Sequence, residues 1–234
     1  MSEQFINIEL SDENLDIFVI RRAIFKSIQF NTENFYGRLL DIGCGQMPYK
    51  DYILKNSNIK KYVGLDIETA RNYNNTIKPD ETWDGVTMPF ASESFDTAIG
   101  TEVLEHCPEP EIILKEVARI LKKNGLFFFT VPFLWNLHEV PNDQYRYTPF
   151  SLERHLRNAG FKNIKIKATG GWHASMAQML GLWVKRSHIP ANKRKILFSV
   201  LKPIIKYLVK IDKSEQVQFK EGSMITGLYG IAKK

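Results

Sequence analysis

The chain has 234 residues, 44% of them hydrophobic and 12% aromatic, enough to bury one sizeable core with a small appendage. Its two cysteines, Cys44 and Cys107, lie far apart and lack C-x-x-C spacing, which argues against a disulfide framework or a zinc motif and leads us to expect a reducing cytoplasm. The net charge of +6 belongs to one segment: residues 185–211 hold eight Lys or Arg and no acid, and the other 24 basic residues are balanced by 26 acidic ones.

The first residues are polar and acid-containing, and no apolar run approaches the roughly 18 residues of a membrane span, so neither a leader nor a spanning helix is expected. Residues 10–30 have apolar side chains at 15, 18, 19 and 25 behind Ser11 and Asp12, the pattern of an N-capped amphipathic helix covering a sheet edge. From Arg38 short apolar runs alternate with helical stretches: RLLDIG, KKYVGLDI, SFDTAIGT and GLFFFTVPF, with EPEIILKEVARILKKNG between the last two. That alternation predicts a parallel sheet with crossover helices. Apolar residues at 112, 113, 117, 120 and 121 form one stripe of a helix over 109–123, opened by Pro108 and Pro110 and stopped by Asn124-Gly125. A second helix is predicted over 149–159, capped by Thr148 and ended by Gly160. FKNIKIKAT and MITGLYGIA then read as two strands of a terminal hairpin, and residues 170–223 between them are too many to lack helices of their own.

LLDIGCG sets Gly43 and Gly45 just past a buried strand, where glycine lets the backbone approach a ligand and the next helix start offers free N–H groups. Asp66 ends the following strand 21 positions after Gly45, close to the spacing at which a doubly wound fold offers a carboxylate to ribose hydroxyls. An N-cap is the other common use of Asp at such a junction. Pro48 occupies the third glycine place of the dinucleotide fingerprint, which disfavours a nicotinamide cofactor and its pyrophosphate.

These segments, with the run WDGVTMPFASESFDTAIGTEVLEHCPEPEIILKEVARILKKNGLFFFTVP and the later YTPFSLERHLRNAGF, resemble the small-molecule class I S-adenosylmethionine-dependent methyltransferases. The likeness covers residues 36–168 and the terminal strand. It implies a doubly wound, mostly parallel, seven-stranded α/β sheet of Rossmann-like type. It also implies Asp41, Gly43, Cys44 and Gly45 around the methionine moiety of S-adenosylmethionine, Asp66 and Ile67 at the ribose, Asp84 and Gly85 beside the adenine, and Thr101 and Glu102 lining the cofactor. The chain departs from the family at Met47, where many relatives carry a third glycine, and at 123–125, where Pro-Gly-Gly is commoner. By the same resemblance Glu105 and His106 belong to the structure around the fourth strand, with His106 a packing residue rather than a base.

Residues 135–148 follow the fifth strand, at the carboxyl edge where open α/β sheets bind ligands, and concentrate aromatic rings, acids, one His and one Arg. Trp135, Glu139, Tyr145 and Arg146 are the expected acceptor-binding residues; the plainer reading is a loop in which Arg146 pairs with Glu139 or Asp143. The run H-E-x-P-x-D-x-Y-R-Y-T also resembles methyltransferases encoded with bacterial surface-glycan genes. His138 is the expected base, since its unperturbed pKa lies near neutrality, with Asp143 or Glu139 orienting it and His173 as the second candidate. No metal-ligand cluster is visible, so metal-independent chemistry is expected.

On a helix over 193–211, Leu197, Leu201, Ile204, Leu208 and Ile211 share one face and Lys195, Lys202, Lys206 and Lys210 the opposite one, with Pro203 as a bend. The packing reading lays this helix on the domain or on the second subunit of a homodimer; the interfacial reading lays it on anionic lipid at the inner face of the membrane. Nucleic acid is disfavoured, because aromatics interleaved for base stacking are sparse. The expected organisation is an N-terminal helical cap over 1–35, a cofactor domain over 36–169 and 223–234, and a basic helical insertion over 170–222. The function this supports is methyl transfer to a small molecule or glycan, mainly at oxygen. A cofactor-binding regulatory subunit and a nicotinamide-dependent dehydrogenase are the alternatives.

Overall fold

The computed structural model describes residues 3–68 and 78–234; residues 1–2 and 69–77, which fall in the expected cap and cofactor domain, lie outside the described residues. Seven strands among these residues form one sheet in the order β3-β2-β1-β4-β5-β7-β6. They are β1 (Tyr36–Ile42), β2 (Asn58–Ile67), β3 (Glu81–Trp83), β4 (Phe95–Thr101), β5 (Leu121–Pro132), β6 (Lys162–Ala168) and β7 (Gly227–Lys233). Only β7 runs against its neighbours, inserted between β5 and β6, so the terminal hairpin expected from the sequence is present. β3 is a three-residue edge strand that hydropathy could not mark.

The helices are α1 (Glu3–Ile6), α2 (Phe18–Asn31), α3 (Lys50–Asn56), α4 (Pro110–Ile120), α5 (Pro149–Asn158), α6 (Trp172–Arg186) and α7 (Ala191–Ile211). Both faces of the sheet are covered. Phe127 and Phe129 of β5 point into a core with Leu152 and Leu156 of α5, while Phe128 points the other way, toward Ile24 and Ile28 of α2. Burial on both sides is why β5 reads as an unbroken apolar run rather than an alternating one. Thr148 caps α5 through a reciprocal bond with Ser151, and Gly160, with φ of 96°, ends it.

Two helix boundaries differ from the sequence reading. α4 ends at Ile120, not near Lys123, because Leu121 is fully buried and pairs with Phe95 as the first residue of β5. Arg119 meanwhile donates to the carbonyls of Met88 and Phe90, tying the last turn to the chain before β4. α2 starts at Phe18 rather than at Ser11–Asp12. The Asn14 side chain accepts from Ser11 N, and its carbonyl accepts from Ile17 and Phe18, a turn that aims Leu15, Phe18 and Val19 at α6 and α7. α2 also lies over the middle of the sheet, on Leu39 and Ile99, rather than at its edge.

The segment between β6 and β7 folds as an antiparallel pair, α6 and α7, packed on α2. Asp212, just past α7, accepts from the N–H groups of Gly171 and Ala174 at the start of α6, which satisfies that helix start and fastens the two ends of the insertion together. Gly181 of α6 lies so close to the N-terminal segment that a Cβ would stand 2.3 Å from the Leu15 carbonyl oxygen. Gly181→Ala should therefore force α6 away from that backbone and cost about 1–3 kcal/mol, read as a lower denaturation midpoint in urea with an unchanged slope.

Candidate functional site

Chain order runs outward in opposite directions from β1 and β4, which leaves a crevice at their carboxyl ends. β1 delivers Asp41 to it. This carboxylate is buried and accepts from the Tyr62 hydroxyl of β2 at 2.5 Å, and burial pushes its pKa up to about 7. Gly43 and Gly45 follow with φ of 62° and 48°. A Cβ on Gly43 would meet Val103 at 2.6 Å, whereas nothing lies within 4 Å of the corresponding point on Gly45; the loop is pressed on β4 on one side and open on the other. Cys44 is buried within it. Met47 has φ of 49°, a left-handed conformation that glycine adopts more readily.

Asp66 accepts from Gly45 N through Oδ2 and from Ile67 N through Oδ1, both at 2.9 Å. It therefore staples the glycine loop to β2, and each oxygen retains a further lone pair for a ligand. Ile67 is exposed beside Gly85. An open glycine loop, a carboxylate with remaining acceptor capacity and an exposed aliphatic side chain fit an adenosyl cofactor. Asp84 has a more local task than the resemblance implied: its Oδ1 accepts from Val86 N and Thr87 N at 2.8 and 2.9 Å, which shapes an exposed turn and lowers its pKa.

Thr101 ends β4 opposite Thr130. Glu102 turns with φ of 55°, and its Oε1 accepts from Thr130 Oγ1 at 2.7 Å; removal from water pushes its pKa up to about 7. Three residues on, a short turn over Leu104–His106 presents Glu105, whose side chain is 0% exposed and whose two oxygens have no hydrogen-bond partner. Burial, with the charge of Glu102 added, raises its pKa well above the ordinary range.

Residues 135–148 fold back on that turn. Gln144 N and Tyr145 N donate to the Glu105 carbonyl at 2.8 and 3.1 Å, the Tyr147 hydroxyl to Leu104 O and the Tyr145 hydroxyl to Pro108 O. The two Tyr rings stack 5.3 Å apart. Tyr145 thus holds the loop down. Arg146 grips Asp143 with Nη1 at 2.6 Å and Nη2 at 2.8 Å, one of the two pairings of the plainer reading. That fork holds Asp143 well below the usual carboxylate range. The same carboxylate accepts from His138 N and stands 3.2 Å from His138 Nδ1, although that ring nitrogen completes no hydrogen bond. Burial lowers the His138 pKa against the opposing pull of Asp143. Trp135 approaches His138 edge-on, with 6.4 Å between the rings.

The loop also brings His138 to His106. Their ring centroids are 4.8 Å apart, His106 Nδ1 sits 3.2 Å from the Asn142 carbonyl, and His106 Nε2 lies 3.8 Å from Glu105 and 3.9 Å from Glu139. Glu105, His106 and His138 together place one ligand-capable atom each within 4.8 Å of one another. Glu105 and His106, which the resemblance assigns to the structure around the fourth strand, stand beside His138 although 32 positions separate the two histidines. The available signal was their place directly after a strand at the carboxyl edge. His173, exposed in the first turn of α6, is outside this group.

A doubly wound sheet closed by an antiparallel β7 between β5 and β6, with a glycine loop after β1 and an acid after β2, defines the class I methyltransferase fold. Residues 40–129 match the methyltransferase domain family. A fatty-acid O-methyltransferase of Mycolicibacterium smegmatis is 28% identical over 99 residues, 40% of this chain and 36% of that one. An uncharacterised protein of Methanocaldococcus jannaschii is 40% identical over 103 residues, 42% of this chain and 38% of that one. The chain thus matches well under half the length of these curated relatives. A solved S-adenosylmethionine-dependent methyltransferase from Thermotoga maritima superposes with a TM-score of 0.58 at 18% identity, covering 99% of this chain and 97% of that one, a likeness of fold alone.

Asp66→Ala should weaken S-adenosylmethionine binding by about 1.5–3 kcal/mol, the value of a hydrogen bond to a charged acceptor, or about 10–100-fold in Kd. Calorimetry on variant protein with a parent-like circular dichroism spectrum checks this.

Proposed function

We propose that this chain transfers a methyl group from S-adenosylmethionine to a hydroxyl of a small molecule or glycan bound over the Glu105–His106–His138 cluster. The observation that carries the reading is the pair of carboxylates at one crevice with opposite environments: Glu105, buried without partners, and Asp143, fixed by Arg146 and oriented on His138. The bound cofactor supplies an electrophilic methyl on a sulfonium, so the O–CH3 bond forms as the S–CH3 bond breaks and the acceptor proton leaves to a base. The chain's own residues must align the acceptor and handle that proton. Asp143 accepts from His138 N and stands 3.2 Å from its Nδ1, which holds the imidazole at the crevice as the proton acceptor of this reading. The relative named for O-methylation of fatty acids supports oxygen as the attacked atom.

His138→Ala should lower turnover by about 10²–10⁴-fold, the usual contribution of a positioned acid or base, while the Kd for S-adenosylmethionine stays within twofold. The measurement is paired calorimetry and single-turnover transfer on an acceptor found by screening hydroxylated small molecules and glycan precursors. Parent-like turnover would remove His138 from the chemistry.

The insertion supports an amphiphilic or lipid-linked acceptor. α6 exposes Trp172, Met176, Met179 and Trp183, and α7 exposes Ile196, Val200, Ile204 and Tyr207. Each stripe lies on the side of its helix opposite the residues packed on the domain, with Leu197, Leu201, Ile205 and Leu208 of α7 turned inward. Ile204 thus stands with the outer stripe rather than on the packed face expected from the sequence. Lys202, Lys206 and Lys210 flank it along a groove of about 630 Å³ that also holds Arg22 and Lys26. No acid occurs between residues 172 and 211, and no helix among the described residues is long and apolar enough to cross a membrane. The occupant we propose is an anionic bilayer surface, with the aromatic and aliphatic stripes immersed and the lysines near the headgroups. The protein should co-sediment with vesicles containing anionic lipid and much less with neutral ones. Changing Lys195, Lys202, Lys206 and Lys210 to Gln should abolish this without altering cofactor binding. Concentration-dependent dimerisation without vesicle binding would instead make the face a contact between copies.

A further inference from the structure

We infer that Glu105, His106 and His138 form a binding site for a first-row divalent cation, of the Mn2+, Co2+ or Zn2+ type, that holds the acceptor oxygen. Three observations carry this. The ligand-capable atoms of the three side chains converge to within 4.8 Å of one another although they come from two separate segments. Glu105 is fully buried with neither oxygen hydrogen-bonded, and a carboxylate in that condition is costly to keep unless a cation or donor meets it.

The surroundings of the histidines are the third. His106 Nδ1 sits 3.2 Å from the Asn142 carbonyl and His138 Nδ1 sits 3.2 Å from Asp143 Oδ2. For His106 an oxygen acceptor at Nδ1 fixes the tautomer and leaves Nε2 as the lone-pair nitrogen, which is how metal-bound imidazoles are ordinarily supported; His138 is held by its backbone N–H on Asp143, and its Nδ1 completes no hydrogen bond. His106 Nε2 accordingly faces Glu105 and Glu139. Two imidazoles and one carboxylate suit a borderline divalent ion and leave coordination positions open for oxygen ligands. Asp143 is then a positioning residue: Arg146 fixes it, and it fixes His138.

The role of the cation rests on the methyl-transfer reading; the site does not. An acceptor hydroxyl bound to the cation gives up its proton to water more readily, and the oxygen so exposed attacks the methyl carbon. His138 then serves as a ligand in place of the proton acceptor named above, and the loss of turnover expected for His138→Ala follows from loss of the ion.

The test uses untagged full-length protein stripped with chelator. Mn2+ is titrated and followed by electron paramagnetic resonance of the free ion, and Co2+ by its visible absorption. The expected result is one ion per chain, with His106→Ala and His138→Ala each weakening binding at least 10-fold while S-adenosylmethionine binding, measured by calorimetry in the same samples, stays at the parental level. Both histidines are partly exposed, so these variants avoid replacing the buried Glu105; Asp143→Asn, which keeps the shape, should weaken the ion less than His138→Ala. Absence of stoichiometric Mn2+ and Co2+ binding overturns the proposal, as does binding that survives both histidine variants. Loss of S-adenosylmethionine binding by the parent would instead overturn the methyl-transfer reading, so the two failures are separable.

Discussion

Covering a mostly parallel sheet on both faces leaves its polar groups few places to go. Leu39 and Leu40 of β1 and Phe127, Phe128 and Phe129 of β5 are fully buried or nearly so, and unpaired polar side chains among them would be costly. Carboxylates therefore gather at the strand ends: Asp41 near the end of β1, Asp66 at the end of β2, Glu102 and Glu105 after β4. The opposite directions of travel from β1 and β4 bring these ends beside one crevice. Its chemistry follows from that confinement.

Within the crevice the carboxylates differ by environment rather than type. Asp41 and Glu102 are pushed up to about 7 by loss of water, even though each receives one hydroxyl hydrogen bond. Asp143 goes the other way, because two guanidinium N–H groups meet its two oxygens. A carboxylate so firmly ionised is suited to orienting His138. Glu105, buried and without a hydrogen-bond donor among the described residues, is suited to meeting a cation. The loop over 135–148 makes this contrast by carrying Asp143, Arg146 and His138 onto the turn that bears Glu105 and His106.

The insertion is joined to the domain in a way that lets its outer face stay apolar. Asp212 closes the helix pair at its base, and Asp16 pairs with Arg186 at 2.6 Å. Gly181 allows close backbone approach to the N-terminal segment. α6 begins just after β6, at the carboxyl edge of the sheet, so the first exposed residue of its stripe, Trp172, starts from the same edge as the crevice.

Local spacing in the chain was sufficient for β1, β2, β4, β5, for α5 with its Thr148 cap and Gly160 stop, and for the glycine loop with Asp66, because each depends on side chains a few positions apart or on a fixed strand-to-helix step. The basic excess and the presence of helices between β6 and β7 were also legible, as composition and length alone require them. Boundaries set by distant contacts were not. α4 stops at Ile120 because Leu121 is taken into the sheet beside Phe95, and α2 begins at Phe18 because α6 and α7 receive Leu15 and Val19. Ile204 faces outward because Ile205 fills the position against α2 and α6. Glu105 and His106 were assigned to packing for the same reason: their partner His138 is remote in sequence, and a loop clamped by Tyr145, Tyr147 and the Glu105 carbonyl brings it within reach. Residues that act through neighbours in the chain declare themselves in sequence, whereas a site assembled across the carboxyl edge exists only once burial has folded one segment over the other.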